Sequence, residues 1–275
     1  MSQSGVTIVT AFFDISRETK GDGRRLEEYM EWIKQTLKLN CYLYIVTEAR
    51  FIDFMRSIRP AEYNHKTVFK ADTLENAMFY KYLPSMREIM ESDEYRSRIM
   101  HPSRVECKLP EYNVIQYSKF GWLCDAIREN PFQSEYFFWM DIGISRFFEN
   151  MELSREYPNP QALERLIDSR NKGNETLDRF IIQKRWDLDT FPIDDNFIWR
   201  SDNLLKGGMF GGSKECIQRI NKSIDLIFKT QMLDKGCVNN EQITLALLYK
   251  QHPEWFYLVD DNDKKPCKIL YTLYF

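Results

Sequence analysis

The chain has 275 residues, of which 43% are hydrophobic and 15% aromatic, and its formal net charge is −3. This length and apolar content suit one large domain over residues 1–275, and the slightly acidic balance argues against a general nucleic-acid binder. The six cysteines are scattered without a C-x-x-C pair, so neither a zinc site nor a compact disulfide framework is indicated. No secretory signal and no run of about 18 apolar residues is visible, so we expect a cytoplasmic protein without a transmembrane segment.

Strand and helix patterns alternate along the first half of the chain. β-Branched and aromatic runs bounded by polar residues indicate strands, and apolar residues at helical spacing indicate helices. In chain order the patterns predict a strand over 6–13, a helix over 24–39, a strand over 41–47, a helix over 48–58, a short strand over 66–69, a helix over 73–100 interrupted by Pro84, a loop over 101–110, a helix over 112–130 and a strand over 136–140. This alternation predicts an α/β fold with a mixed, mostly parallel central sheet flanked by helices.

The last of these strands, Tyr136–Met140, leads directly into a carboxylate. Its five large apolar or aromatic residues indicate a central strand that is buried on both faces. Asp141 follows at once, and Gly143 comes two residues later. Ligands of open α/β sheets bind at the carboxyl ends of strands, so Asp141 is a candidate site residue. The alternative is ordinary turn chemistry, for which Asp-x-Gly is common.

The second half of the chain is less regular. The patterns predict a short helix over 161–169, a strand over 179–183, an acidic and aromatic loop over 186–199, a helix that ends at 230, a buried helix that ends at 249 and a strand over 255–259. Two glycine pairs, at 207–208 and 211–212, precede the helix that ends at 230. Because glycine has no Cβ, backbone can approach a ligand closely there, and we predict a ligand-contacting loop with a bare turn as the alternative.

Four polar residues, 239–242, stand at the start of the buried helix. Asn240 is a good helix cap, and a carboxylate such as Glu241 is favoured in the first turn by the helix dipole. A capping cluster and a functional cluster are both consistent with this pattern. The three histidines show no metal-binding spacing, although His252 is a further candidate ligand if the fold brings it near Asp141.

Local basic groups occur in spite of the acidic balance. Arg17, Lys20, Arg24 and Arg25 follow the first strand closely, and a phosphate-bearing small molecule would need only one or two of them.

Five of these segments together resemble nucleotide-sugar glycosyltransferases of the GT-A fold, a Rossmann-like architecture. The segments are 10–14, 118–122, 139–143, 207–212 and 240–242. More narrowly, the chain is similar to the HtrL/YibB family of bacterial surface-polysaccharide loci, from Val6 to about Val259.

The resemblance implies roles for individual residues. Asp141 matches the first Asp of an Asp-x-Asp motif that binds Mn²⁺ or Mg²⁺ on the donor diphosphate, where the metal acts as a Lewis acid. Gly143 stands where the second Asp would be, so this chain departs from the motif. Glu241 and Gln242, next to Asn240, match a pair near the transferred sugar. Glu241 would be a base in an inverting enzyme and a sugar-orienting group in a retaining one.

The same resemblance implies a donor site along the edge of the sheet. The residues implied in donor binding are Thr10, Phe12, Asp14, Arg17, Lys119, Trp122, Asp141, Gly143, Gly208, Phe210, Gly211 and Gly212. Residues 1–150 are expected to bind the donor and 151–275 to face the acceptor.

The expected function is transfer of a sugar from a nucleoside-diphosphate donor, with a UDP-sugar favoured, to a glycan or glycolipid acceptor. The pathway implied is surface polysaccharide synthesis, such as that of lipopolysaccharide, at the inner face of the membrane. One alternative is a catalytically silent sugar-nucleotide or glycan-binding module that has lost the second metal Asp. A sugar nucleotidyltransferase is another, but the basic glycine-rich loop that it needs after the first strand is replaced here by residues 14–17.

Overall fold

A strand that is buried on both faces runs through the middle of the molecule in the computed structural model, which describes residues 5–171, 178–200, 204–261 and 265–275. Val9 and Ala11 of this strand pack into one hydrophobic core, and Val6 and Ile8 pack into another on the opposite face. In chain order the strands are β1 (Val6–Phe12), β2 (Tyr42–Thr47), β3 (Thr67–Ala71), β4 (Tyr136–Met140), β5 (Phe180–Lys184), β6 (Leu205–Ser213) and β7 (Phe256–Val259).

The described strands form one sheet in the order β3-β2-β1-β4-β6-β5-β7. Strand β6 is antiparallel to both of its neighbours, β4 and β5, whereas all the other paired strands are parallel. The predicted mixed, mostly parallel sheet flanked by helices is therefore confirmed. The sheet takes strands from both halves of the chain, and their division into a donor half and an acceptor half stays a prediction.

Helices cover both faces of the sheet. In chain order they are α1 (Arg17–Lys20), α2 (Leu26–Thr36), α3 (Ala49–Ile58), α4 (Leu83–Glu91), α5 (Asp93–Arg98), α6 (Pro110–Glu129), α7 (Pro160–Asn171), α8 (Lys214–Ile227), α9 (Glu241–Gln251) and α10 (Lys268–Thr272). The core on the Val9 side contains buried residues of α4, α6, α8 and α9, and the core on the Val6 side contains those of α2, α3, α7 and α10. None of the helices in the described ranges is both long and apolar enough to span a membrane.

The predicted helix over 73–100 is wrong in its extent. Two short 3-10 turns, Leu74–Asn76 and Tyr80–Tyr82, lie in its first ten residues, and α4 begins at Leu83. The helix is interrupted again at Ser92, between α4 and α5. Pro84 lies in the first turn of α4, where proline is tolerated, so it begins a helix and does not interrupt one. The Ser92 hydroxyl accepts a hydrogen bond from the Tyr95 backbone N–H at 3.2 Å and caps α5.

The glycine-rich segment is a strand, and the prediction of a loop there is wrong. Residues 207–212 belong to β6, which pairs with β4 from Met140–Met209 to Tyr136–Ser213. A Cβ at Gly211 would come within 2.5 Å of the Phe138 ring. Glycine is needed there because the aromatic side chains of β4 fill the space above β6.

Candidate active site at the carboxyl ends of β1 and β4

A cavity of about 350 Å³ opens where β1 and β4 end. Strand β1 lies between β2 and β4 in the sheet, so the chain that leaves β1 toward β2 turns away from β4. Open α/β sheets bind ligands at such a point, because connections that diverge leave a crevice between them. Residues of α2 and α6 form the walls, and the segment after β1 forms the rim.

Lys119 of α6 lies in the wall of this cavity and is 1% exposed. Its Nζ donates to Oε1 of Glu241 at 3.1 Å and to the Gly207 carbonyl at 3.0 Å, and it lies 3.1 Å from Oδ1 of Asp141. Burial lowers the pKa of Lys119, but the Asp141 and Glu241 carboxylates outweigh it and raise the pKa above its usual value. The ammonium is therefore held charged between two carboxylates.

Glu241 lies behind Lys119 as seen from the cavity. It is fully buried at the first position of α9, and its Oε2 has no hydrogen-bond partner within the described residues. Burial raises the pKa of Glu241, and Lys119 opposes that rise. A Cβ at Gly207 would overlap Oε1 of Glu241, so glycine at this position of β6 gives the carboxylate its place.

Asp141 is the carboxylate of this group that lines the cavity, and its side chain is 30% exposed. Its Oδ1 accepts a hydrogen bond from Trp139 Nε1 at 2.8 Å, in addition to the contact with Lys119. Its backbone N–H donates to the Gly208 carbonyl at 2.8 Å, which continues the β4–β6 pairing by one residue. This hydrogen bond fixes the backbone at the start of the turn that follows β4.

The surroundings of Asp141 do not fit the divalent metal that the resemblance implies. Its Oδ1 is engaged by Trp139 and Lys119, and an ammonium 3.1 Å away repels a second cation. In the described parts of the chain, no three His, Cys, Asp or Glu side chains come together as a metal-binding group. His252, the other candidate ligand, stacks on the Trp255 ring beyond the far end of α9 from Glu241, with the ring centroids 3.8 Å apart.

The sequence profile of a family described as "Bacterial protein of unknown function (HtrL_YibB)" matches residues 4–264. The chain belongs to the HtrL_YibB family. Among curated proteins there is no match. Solved structures that match this HtrL_YibB chain include mouse xyloside xylosyltransferase 1 in its apo form, at 11% sequence identity and a TM-score of 0.45. That alignment covers 94% of this chain and 85% of the mouse chain.

The structure brings together several of the residues that the sequence predicts for the site of this HtrL_YibB protein. Besides Lys119 and Asp141, the cavity is lined by Phe12, Asp14, Arg17 and Gly143.

Arg17 of this group already has polar partners. Its guanidinium pairs with Asp22 through two hydrogen bonds of 3.0 and 2.5 Å and donates to the Tyr29 hydroxyl at 2.6 Å. Its phosphate-binding role stays a prediction.

Other predicted donor-binding residues do not line the cavity. Thr10 is fully buried within β1, and Trp122 stacks between Phe13 and Trp139 behind the cavity wall. Phe210 stacks on a ring of α6 in the core, and Gly211 and Gly212 are buried with it in β6. Gly208 lies beside Asp141, where a Cβ would be 3.7 Å from Oδ2.

The cluster over 239–242 combines both readings of its sequence. Asn240 is the cap of α9, and its Oδ1 accepts a hydrogen bond from the Gln242 backbone N–H at 3.1 Å. Asn239 donates to the carbonyls of Ile198 and Arg200 and so fixes a neighbouring turn. Glu241 alone of the four pairs with the cavity lysine.

Several aromatic residues of the site were not predicted from the sequence. Tyr29 and Tyr112 line the cavity, and Trp32 contacts two of its arginines. A signal existed in α2, because Tyr29 and Trp32 are three residues apart and form an aromatic stripe beside the apolar face of the helix. Arg146 belongs to the 3-10 turn after β4, for which the sequence predicts no helix.

Proposed function

We propose that this HtrL_YibB protein is a glycosyltransferase of GT-A type that moves a sugar from a nucleoside-diphosphate donor, a UDP-sugar in the first instance, to a glycan or glycolipid acceptor. The observation that carries the proposal is the buried Lys119, which joins Asp141 and Glu241 beneath the cavity. Lys119 and Glu241 are both buried, and Asp141 is partly exposed. Two charged groups inside the protein are costly to build and need a function to account for them, since apolar residues would serve a core better.

The cavity supports a small-molecule ligand of this class. Its volume of about 350 Å³ lies within the range of ligand pockets, and aromatic rings and arginines line it. The site stands at the divergence of β1 and β4, which is the usual ligand position of such sheets.

We assign the role of general base to Asp141 and a positioning role to Glu241. In the transfer, the acceptor oxygen bonds to the anomeric carbon, and the bond from that carbon to the β-phosphate oxygen breaks with its electron pair on phosphate. The acceptor proton passes to a carboxylate, and we assign this carboxylate to Asp141 because it lines the cavity. Glu241 holds Lys119, which in turn fixes Asp141.

The alternative assignment makes Glu241 the base, as the resemblance implies, with Gln242 and Asn240 beside it. The turnover of the E241Q variant distinguishes the two assignments. An amide oxygen still accepts the Lys119 hydrogen bond, so a positioning role leaves much of the turnover, whereas a base role abolishes it. D141N should abolish turnover under the first assignment, measured as release of the nucleoside diphosphate.

Thermal unfolding against UDP-, GDP-, CMP- and dTDP-sugars, with and without Mn²⁺, tests the proposal. A donor that binds only the native state raises the unfolding midpoint. If no sugar nucleotide raises it under either condition, the proposal is wrong.

The second candidate function is the catalytically silent binding module, which Gly143 in place of an Asp favours. A silent module would still bind a donor, but it would release no nucleoside diphosphate, and Asp141→Ala would have no turnover to remove. Surface polysaccharide synthesis at the inner face of the membrane is the pathway that we propose for the active enzyme.

A further inference from the structure

Two arginine side chains of the cavity lie on one aromatic ring. The Cζ atoms of Arg24 and Arg146 are each 5.3 Å from the ring centroid of Trp32. Both arginines line the cavity, one from the segment before α2 and the other from the 3-10 turn after β4. Because each Cζ lies at that distance from one centroid, the two guanidiniums are separated by no more than twice it.

These two guanidiniums differ from the other cations of the cavity. Arg17 is paired with Asp22 and Tyr29, and Lys119 has three acceptors around its Nζ. Neither Arg24 nor Arg146 has an ion pair or a side-chain hydrogen bond with any residue that the structure describes. Contact with a ring face leaves the N–H groups at the edge of a guanidinium able to donate.

Carboxylates near the cavity form no ion pair with either arginine within the described residues. Asp22 interacts electrostatically with Arg24, but its ion pair is with Arg17. Asp14 contacts Arg50, and Asp141 contacts Lys119. Glu18 and Glu27 line the cavity as exposed side chains, and neither forms an ion pair with Arg24 or Arg146 within the described ranges. The side of the cavity at Trp32 therefore carries two arginines that have no ion pair among the described residues.

The turn that carries Arg146 is fixed to α2. The Ser145 hydroxyl donates to the Trp32 carbonyl at 2.7 Å, and the Ser145 N–H donates to the Thr36 hydroxyl at 3.3 Å. These bonds hold the ring and the arginine together before any ligand arrives, which reduces the entropy that binding costs.

Gly143 links this arrangement to the departure from the Asp-x-Asp pattern. A Cβ at Gly143 would be 3.0 Å from Cε3 of Trp32 and 3.4 Å from Nη1 of Arg146. The first separation is tighter than ordinary contact and the second lies at its limit, so a side chain at this position would require the Trp32 ring to shift by a few tenths of an ångström. The position that would carry a second carboxylate instead gives room to Trp32 and its arginines.

We propose that Arg24 and Arg146, supported by Trp32, bind the diphosphate of the donor directly and take the place of a divalent metal. Guanidinium groups match phosphate oxygens with paired, charge-assisted hydrogen bonds. Two of them supply the positive charge that a departing diphosphate needs. This inference rests on the proposed function, since it names how the same site holds a nucleoside-diphosphate donor.

The test measures binding of UDP and GDP by calorimetry at fixed salt, once with EDTA and once with Mg²⁺. Wild-type protein should bind at least one of the two in EDTA, with a Kd within about threefold of the Mg²⁺ value. R24Q and R146Q should each weaken that binding by about tenfold or more, because each removes a charge-assisted contact. Binding of the corresponding monophosphate should change less than binding of the diphosphate.

Two arginines outside the cavity, Arg25 and Arg155, provide matched controls for Arg24 and Arg146. Arg25 is adjacent to Arg24, but its guanidinium faces Glu28 and does not line the cavity. Arg155 lies over the Tyr274 ring, as Arg146 lies over Trp32, yet outside the cavity. R25Q and R155Q should bind like wild type, and unliganded unfolding midpoints should show that all four variants fold.

The outcomes separate the inference from the proposed function. Binding that requires Mg²⁺ and is unchanged in R24Q and R146Q would overturn the inference and leave the proposed function standing. Absence of UDP and GDP binding both in EDTA and in Mg²⁺, together with no response to any sugar nucleotide, would overturn the proposed function and the inference with it.

Discussion

At the scale of single residues, the candidate site depends on the buried ammonium of Lys119. An ammonium removed from water loses much of its hydration energy, and it stays charged only where acceptors replace that water. Lys119 has three such acceptors, which come from β6, α9 and the end of β4. The contact with Asp141 reaches the cavity, whereas the contact with Glu241 is closed off from solvent. Lys119 thus connects the buried Glu241 to the cavity.

Lys119→Met should therefore destabilise the protein more than a surface substitution does. Removing the ammonium leaves Glu241 buried and without its counter-charge, which costs about 3–5 kcal/mol in comparable cases. The double variant K119M/E241Q should recover about 1–3 kcal/mol of that loss, because the amide carries no charge to desolvate. Urea unfolding of the wild type, both single variants and the double variant measures this coupling. Additive losses in the double variant would contradict it.

At the scale of elements, strand β6 explains both the success and the failure of prediction from sequence. Its glycines form an unusual cluster in the sequence, and Gly207 and Gly208 do lie beside the carboxylates of Glu241 and Asp141, respectively. Strand propensity does not indicate β6, because glycine is disfavoured in strands. The requirement arises from partners in other elements, which are Glu241 at one end of the strand and Phe138 at the other. A single sequence does not reveal which partners will meet.

A pair of neighbouring substitutions in β6 tests this account. Gly207→Ala should destabilise by about 1–3 kcal/mol, since its Cβ would overlap Glu241 and displace the carboxylate from Lys119. Gly208→Ala should change stability by less than about 1 kcal/mol, because its nearest neighbour would be Oδ2 of Asp141 at 3.7 Å. Denaturant unfolding gives the two values directly. Equal effects in G207A and G208A would show that chain stiffness, and not contact with Glu241, sets the cost.

At the scale of the whole molecule, the fold could be predicted because β1 and β4 carry apolar residues on both faces. Such strands are typical of a parallel sheet between helix layers, and the sheet order bears this out. Among candidate site residues, Asp141 could be predicted from its place directly after a buried strand, whereas Lys119 was implied by the resemblance, which puts a basic residue in the helix before that strand. The pair of arginines on Trp32 could not, because it forms only when α2 packs against the turn after β4. That contact joins residues more than a hundred positions apart.

The pH dependence of folding should report the burial of Glu241. Burial raises its pKa above the ordinary 4.5, so the folded state holds the proton more tightly than the unfolded state does. The corresponding stability is fully present below pH 4.5 and is lost as pH rises through the folded pKa. Wild-type stability relative to E241Q should therefore fall from pH 4.5 upward and level off once the folded carboxyl is ionised. Both proteins share every other titrating side chain, so the titration of Glu241, with its effect on the pKa of Lys119, sets their difference. Urea unfolding in steps from about pH 4 to 8 measures it. A difference that rises with pH would mean that Lys119 outweighs burial and that Glu241 is charged throughout.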